Sequence, residues 1–481
     1  MAWNQFAPES RTRWTPGSNS HPIWPSEPDP STIRAIAAEA LRVSADALTV
    51  SPLGSGAYHK VYDITKKEQA PACRTYLFRV AVPVDPVYKM ESEMATLEFL
   101  RRRTTIPVPR PVAWNSSSSN PLGFEWALVE KAPGVELRSV WDDLPWERKA
   151  ALVESIAGYL AQLWSPDLRF SHIGSIYCAG FGAGESSPDR SVASAPSASF
   201  GMSRVETATR GGFKIGPMVD VRFVSGRRRH LPTDRGPYDS CQDWLAALID
   251  TENSFISSAA LLFKDIPEES KAARMGEEED IGDVIGYEEE GDCDHALESC
   301  HRFWRALPSV VPAGSQEGEP DRTDARFLLS HWDLRTANII VDPESLEITG
   351  IIDWENAVTV PKWTAMDYPL MLKKAEPLYD RPSATITAAL RNSCVQSDEI
   401  DSRKKDLKKW EAKDLRFVFA CKLEELGYGS DWRPTSPSDK RKRDFLDGIT
   451  DVTFEWERAN RTLRRIRDQL RARPDTSSPT D

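Results

Sequence analysis

Between Phe327 and Glu355 the chain reads Phe-Leu-Leu-Ser-His331-Trp-Asp333-Leu-Arg-Thr-Ala-Asn338-Ile-Ile-Val-Asp342-Pro-Glu-Ser-Leu-Glu-Ile-Thr-Gly350-Ile-Ile-Asp353-Trp-Glu355. Asp333, Asn338 and Asp353 are the residue types that phosphoryl transfer uses. One carboxylate accepts the proton of an attacking hydroxyl. A second carboxylate and an amide oxygen, both hard ligands, hold the magnesium ions that bridge a nucleotide's phosphates. The spacing brings the three together without any long-range assumption. Asn338–Asp342 and Ile348–Ile352 are apolar, β-branched runs joined by a turn containing Pro343 and Ser345, which predicts a hairpin. The chain enters it at Asn338 and leaves at Asp353, on one side, and Asp333 lies in the loop leading in. A plainer reading makes the two Asp turn residues and Asn338 a strand cap, but three matched types at this spacing are hard to obtain from turns alone.

The elements that must position this trio follow from periodicity. Residues 1–47 read as a proline-rich arm followed by a short helix, about Ser31 to Leu41, capped by Ser31. Residues 48–137 change to strand-like runs, around Val50–Pro52, His59–Ile64, Tyr76–Val82 and Glu125–Glu130, with one helix from about Lys89 to Arg102. Ile106–Val112 is forced into extended chain by its prolines. This predicts a small lobe, mainly an antiparallel sheet with one helix. Residues 138–472 are mainly helical: Pro145–Trp164, Gln242–Phe263 and a charged amphipathic helix from Phe445 to about Arg471. They include a variable insertion, 174–292, whose stretch Gly174–Arg235 reads as a long loop and whose end, Asp265–Asp292, reads as a solvated acidic loop with the runs Glu277–Asp280 and Glu288–Glu290. Residues 473–481 read as a tail. The fold class is therefore α+β, in two lobes.

Composition narrows the function. The chain has 481 residues, 61 basic and 73 acidic, for a formal charge of -12. That balance argues against a nucleic-acid binder, which needs a basic face to displace counterions. No run approaches the roughly 18 apolar residues of a membrane span, so no membrane partner is expected. Seven scattered cysteines make no disulfide framework. A soluble, cytoplasmic protein is expected.

His331-x-Asp333-x-x-x-x-Asn338 followed by Ile-Ile-Asp353-Trp354-Glu355 resembles the aminoglycoside phosphotransferase and choline kinase-like family, especially its fungal members. The resemblance implies a bilobal protein kinase-like fold and transfer of the γ-phosphoryl group of ATP or GTP, with Mg2+, to a hydroxyl of a small molecule. It implies Asp333 as catalytic base, Asn338 and Asp353 as magnesium ligands, and His331 as a loop-fixing residue. Glu355 either supports the metal site from behind or faces solvent. Trp332 stands where the family usually has Gly, a departure that bears on how the loop packs.

The resemblance extends upstream in the right order. Leu53-Gly54-Ser55-Gly56-Ala57-Tyr58-His59 joins two predicted strands, as a glycine loop over nucleotide phosphates should, with His59 replacing a third glycine. Arg79 occupies the strand position of the phosphate-gripping lysine, with a different reach from an ammonium. Its partner on the next helix is Glu93 by register, with Glu91 as competitor. Glu130, Lys131 and Ala132 fall where a linker strand offers its backbone N–H and C=O groups to adenine. Acid in the large lobe suggests a cationic acceptor, by analogy with aminoglycosides or choline.

Four rival readings remain, two of them resting on other residues. Cys293-x-His295 and Cys300-His301 lack the paired spacing of zinc sites. Lys440–Arg443 reads as a solvated loop or helix start rather than a targeting signal. A protein kinase shares the trio, but here Asp-Trp-Glu replaces Asp-Phe-Gly, and the long interval from Lys131 to His331 suits a small-molecule pocket. A non-catalytic nucleotide binder of the same fold would explain Arg79, His59 and Trp332 but has no need of a base.

Overall fold

A computed structural model of the chain describes residues 15, 21–67, 75–181, 203–204, 212–264, 290–312, 327–373, 383, 387, 398–430, 432–453 and 455–471. The small lobe is built on antiparallel strands β1 (Leu48–Ser55), β2 (His59–Lys66), β3 (Tyr76–Ala81), β4 (Pro111–Asn115) and β5 (Glu125–Glu130), ordered β1-β2-β3-β5-β4. The proline-rich run expected to be merely extended thus feeds a fourth ladder partner, β4. Two residues of the large lobe's insertion, Ser203 and Arg204, extend the β4 edge.

Alternation decides which side chain faces what. On β3, Phe78 and Val80 point to one face, where helix α1 (Pro30–Leu41) covers them with Ile33, Ile36 and Ala37. Ile33 and Ile36 are fully buried, so truncating either to Ala should cost about 2–5 kcal/mol. The cap of α1 is Asp29 rather than Ser31: its carboxylate accepts from the Ser31 and Thr32 amides, and Pro30 takes the first turn, where no amide is needed. Arg79, one residue out of phase with Phe78 and Val80, faces the opposite side, where helix α2 (Tyr88–Arg103) lies.

Helix α2 starts from a γ-turn. Val87 has φ 71° and ψ -55°, and the Tyr88 amide donates to Pro86 O at 2.9 Å. A β-branched residue is strained there, and the buried Glu125 carboxylate holds it by accepting from the Val87 amide at 2.6 Å.

The linker runs through Ala132-Pro133-Gly134 onto the hairpin of the large lobe. Val135–Glu136 pairs with Ile340 and Val341, and Ile339–Val341 pairs antiparallel with Ile348–Ile351. Gly134 has φ 116°, and a Cβ there would lie 2.1 Å from Val341 O. A Cβ at Gly350 would come 2.6 Å from that of Ala132. Both glycines are needed for the linker to lie flat on the hairpin.

The rest of the large lobe is helical: α3 (Trp146–Leu163) packs against Asp398–Glu425, and Cys241–Lys264, Glu290–Val310, Pro437–Asp451 and Trp456–Arg471 pack on one another. The C-terminal pattern read as one helix is two. The chain breaks after Asp451 so that buried Thr453 reaches the Glu252 carboxylate beside Arg228. The basic run Lys440–Arg443 is not wholly solvated: it lies in a helix with Arg441 and Lys442 buried. The insertion also carries regular structure, with Ser175–Cys178 paired to Phe213–Gly216. From it, Arg235 reaches back to Asp85 (Nη1 to Oδ1, 2.9 Å), and Arg229 donates to Val84 O at 3.2 Å. The acidic runs between 265 and 289, the tail beyond 471 and most of the N-terminal arm lie outside the described residues. Among the described residues no helix is long and apolar enough to cross a membrane.

Candidate active site

The hairpin places Asp333, Asn338 and Asp353 at one edge. Asn338 ends a 3-10 turn that enters the first strand, and its Nδ2 donates to Asp333 O at 2.8 Å, to Asp333 Oδ2 at 3.0 Å and to Asp353 Oδ2 at 3.5 Å. His331 braces the loop from within. Its Nε2 lies 3.0 Å from Ile352 O, and its Nδ1 accepts from the Asp333 amide at 3.3 Å, so the ring is neutral with its proton on Nε2. Burial holds its pKa below the ordinary value.

Asp353 adopts φ 67°, a region Asp tolerates better than most residues. Burial pushes its carboxyl pKa up, against the pull of Arg79. Trp354 anchors the turn through Nε1 to Ile351 O at 2.9 Å. Trp332 finds room because it lies under a guanidinium: Arg222 stands 4.2 Å from its ring and is itself held by Asp220.

Above the hairpin, Gly54, Ser55 and Gly56 form the exposed end of the β1–β2 ribbon. A Cβ at Gly54 would meet nothing within 4 Å, so packing does not require glycine there. Arg79 is ion-paired with Glu93, which is buried, whereas Glu91 accepts from Ser116 Oγ at 2.7 Å. The register therefore selects Glu93.

The adenine-facing backbone expected from Glu130 to Ala132 is narrowed by the hydrogen bonds of Glu130 and Lys131. Their amides, expected to face adenine, are committed to the protein: Glu130 N donates to Arg110 O at 2.8 Å and Lys131 N to Thr75 O at 3.0 Å. Their side chains turn to Arg110 and Asp63. Ala132, one residue further along the linker, is the next amide.

Two functional candidates, Arg335 and Lys89, were missed by sequence reasoning, which left Glu355 either behind the metal site or facing solvent. Arg335 Nη2 lies 3.0 Å from Asp333 Oδ2 at the open edge of the site. Its place two residues after Asp333 was the available signal. Lys89 and Glu355 are buried and paired, Nζ to Oε2 at 2.7 Å, with His59 Nε2 3.3 Å from the same carboxylate oxygen. Only the helical spacing of Lys89 and Glu93 hinted at this.

On the Trp332 side of the loop a pocket of about 370 Å³ is lined by Ser330, Trp332, Arg222, Tyr368, Asp367 and Asp447, among others. The cysteines considered for zinc, Cys293 and Cys300, are buried in a helix, and His295 stacks on Trp456.

A family model described as the phosphotransferase enzyme family matches residues 49–179 and 244–362, just over half of the chain. Among curated proteins, the chain is 25% identical over 340 residues to a subtelomeric hrmA-associated cluster protein of Aspergillus fumigatus, covering 66% of this chain and 60% of that protein. It is 26% identical over 211 residues to altered inheritance of mitochondria protein 9, mitochondrial, of Yarrowia lipolytica, covering 41% of this chain and 34% of that one. The chain thus spans less than two thirds of the length of these relatives. Among solved structures, an aminoglycoside phosphotransferase of Streptomyces rimosus is 14% identical with a TM-score of 0.35, covering 87% of this chain and 98% of that one.

Proposed function

Since this chain belongs to the phosphotransferase enzyme family, we propose that it moves the γ-phosphoryl group of ATP, or GTP, to a hydroxyl of a small molecule in the presence of magnesium. The observation that carries the reading is the convergence of Asp333 and Asp353 on one Asn338 amide, at 3.0 and 3.5 Å. Turn residues that merely shaped a hairpin would have no reason to gather two carboxylates there, since like charges at close range repel.

Asp333 is the base. Its Oδ2 is steered by Asn338 and Arg335, and its half-exposed carboxylate takes the proton of the acceptor hydroxyl as that oxygen attacks phosphorus. The donors Asp353 and Asn338 fit magnesium, because both offer hard oxygens. When bound, the metal neutralises charge on the phosphates. Arg79, set by Glu93, steadies the phosphate chain, and the exposed glycine-rich turn Gly54–Gly56 covers it. The adenine edge falls to the linker near Ala132. The acceptor enters from the Trp332 pocket, whose lining carries both signs (Asp367 and Asp447 against Arg222). That supports a polar acceptor, cationic in part.

The test is magnesium-dependent nucleotide binding and turnover by the wild type, Asp333→Asn and Asp353→Ala. Binding kept but turnover lost in the first, and binding lost in the second, supports the reading. Binding by all three, with no turnover on amino sugars and alcohols, overturns it in favour of an inert binder. Phosphate on peptides instead makes it a protein kinase.

A further inference from the structure

Beneath the glycine loop lies a second cation. Lys89, on the first turn of α2, is 5% exposed. Its Nζ contacts Glu355 Oε2 at 2.7 Å and His59 Nε2 at 3.2 Å, and lies 5.6 Å from the centre of the Tyr58 ring. Tyr58 and His59 close the loop itself, since the Gly56 amide donates to His59 O at 2.8 Å. On the other side, Glu355 follows Asp353 by two residues. The ammonium therefore stands between the loop expected over the phosphates and the carboxylate expected to hold magnesium. Arg79 adjoins it, Nη2 lying 3.4 Å from the same His59 nitrogen.

Two cations, two carboxylates and a histidine are a costly set to bury for stability alone, because well-packed apolar groups serve as well or better. Arg79 is tied to Glu93, and its planar fork does not reproduce the reach of a lysine. Helical spacing puts Lys89 and Glu93 on one face of α2, yet each finds a partner off the helix: Glu93 takes Arg79, and Lys89 takes Glu355.

Resting on the nucleotide-dependent reading above, we propose that Lys89 is a phosphate-binding residue, held on Glu355 in the free protein and shared with the phosphates of the bound nucleotide. The duty of a single strand lysine is divided between Arg79 and Lys89.

The experiment is titration of the full chain with ATP and magnesium and, separately, with adenosine, for the wild type, Lys89→Met, Lys89→Arg and Glu355→Gln. Lys89→Met should weaken ATP binding by about tenfold or more, the usual worth of a charge-assisted hydrogen bond. Adenosine should bind as before, and Lys89→Arg should restore much of the loss. Glu355→Gln, which releases the ammonium, should bind ATP at least as tightly as the wild type. The adenosine arm separates lost contact from lost folding. Equal weakening of ATP and adenosine in Lys89→Met, unchanged ATP binding in that variant, or a loss in Glu355→Gln matching it would each overturn the assignment while leaving the nucleotide reading standing. A wild type that binds neither ligand would overturn that reading and this one with it.

Discussion

Lys89 Nζ and Glu355 Oε2, 2.7 Å apart, join the first turn of a small-lobe helix to the loop that carries Asp353. Both side chains are over nine-tenths buried. Removing one partner leaves an uncompensated charge, at a cost of about 3–5 kcal/mol. Thermal unfolding of Lys89→Met, Glu355→Gln and the double variant should show each single change lowering stability and the double recovering a large part. Additive losses would mean that the two do not interact.

The Arg79–Glu93 pair predicts an asymmetry along one helix. Glu93→Gln should weaken ATP binding and lower the unfolding temperature, because Arg79 loses its counter-ion in a buried setting. Glu91→Gln should do neither by much, as that carboxylate accepts from the Ser116 hydroxyl rather than from Arg79. Equal effects would remove the basis for choosing Glu93.

Asp333→Asn should lower kcat by about 10²- to 10⁴-fold, the usual contribution of a positioned base, with ATP affinity retained. Arg335→Ala should lower kcat less and leave ATP affinity close to wild type, since its described contact is to the base. Rapid-quench turnover on an active acceptor reads both. A variant with ATP affinity lost and turnover intact would place Arg335 elsewhere.

Stability should fall as pH drops below about 6.5, the ordinary value for histidine. Burial, then the Lys89 and Arg79 charges, holds the His59 ring well below that value. A lowered folded value means the unfolded chain binds the extra proton, so the contribution is complete above pH 6.5 and lost as acid titrates the unfolded state. His59→Gln should flatten the decline between pH 7 and pH 5. That comparison isolates His59 from Asp353 and Glu355, whose carboxyls are raised by burial and act in the opposite sense. Identical slopes would count against a neutral buried ring.

Gly134→Ala should be among the most damaging single-atom changes in the chain. The new Cβ would meet Val341 O at 2.1 Å from a backbone at φ 116°, so the linker must lift from the hairpin. Reduced yield or a lower unfolding temperature, with Gly54→Ala close to wild type in stability, is the expected pattern.

What the sequence made legible was local. Asp333, Asn338 and Asp353 lie on one hairpin, and β-branched runs with a proline turn between them fix that geometry through nearest neighbours. Arg79 was placed only by resemblance to a strand lysine, and its pairing with Glu93 shows which way it points. Lys89 and Glu355 were opaque because their pairing depends on how two lobes meet, which no window of residues encodes. The C-terminal pattern failed for a related reason. Apolar spacing from Phe445 to Arg471 is compatible with one helix, and only Thr453's attraction to Glu252 and Arg228, far away in the chain, breaks it. Arg441 and Lys442 were misread as solvated because a charge run carries no record of what covers it.

The loop before α2 is gripped from the other lobe by Arg235 on Asp85 and Arg229 on Val84. Together with the covalent linker at Gly134, this ties the two halves at two separate places. Such a body should melt as one cooperative unit rather than lobe by lobe, and calorimetry should record a single transition. Whatever enters the cleft must then rely on loop movement at its rim, because wholesale rocking of one half against the other would first have to tear an arginine from its carboxylate.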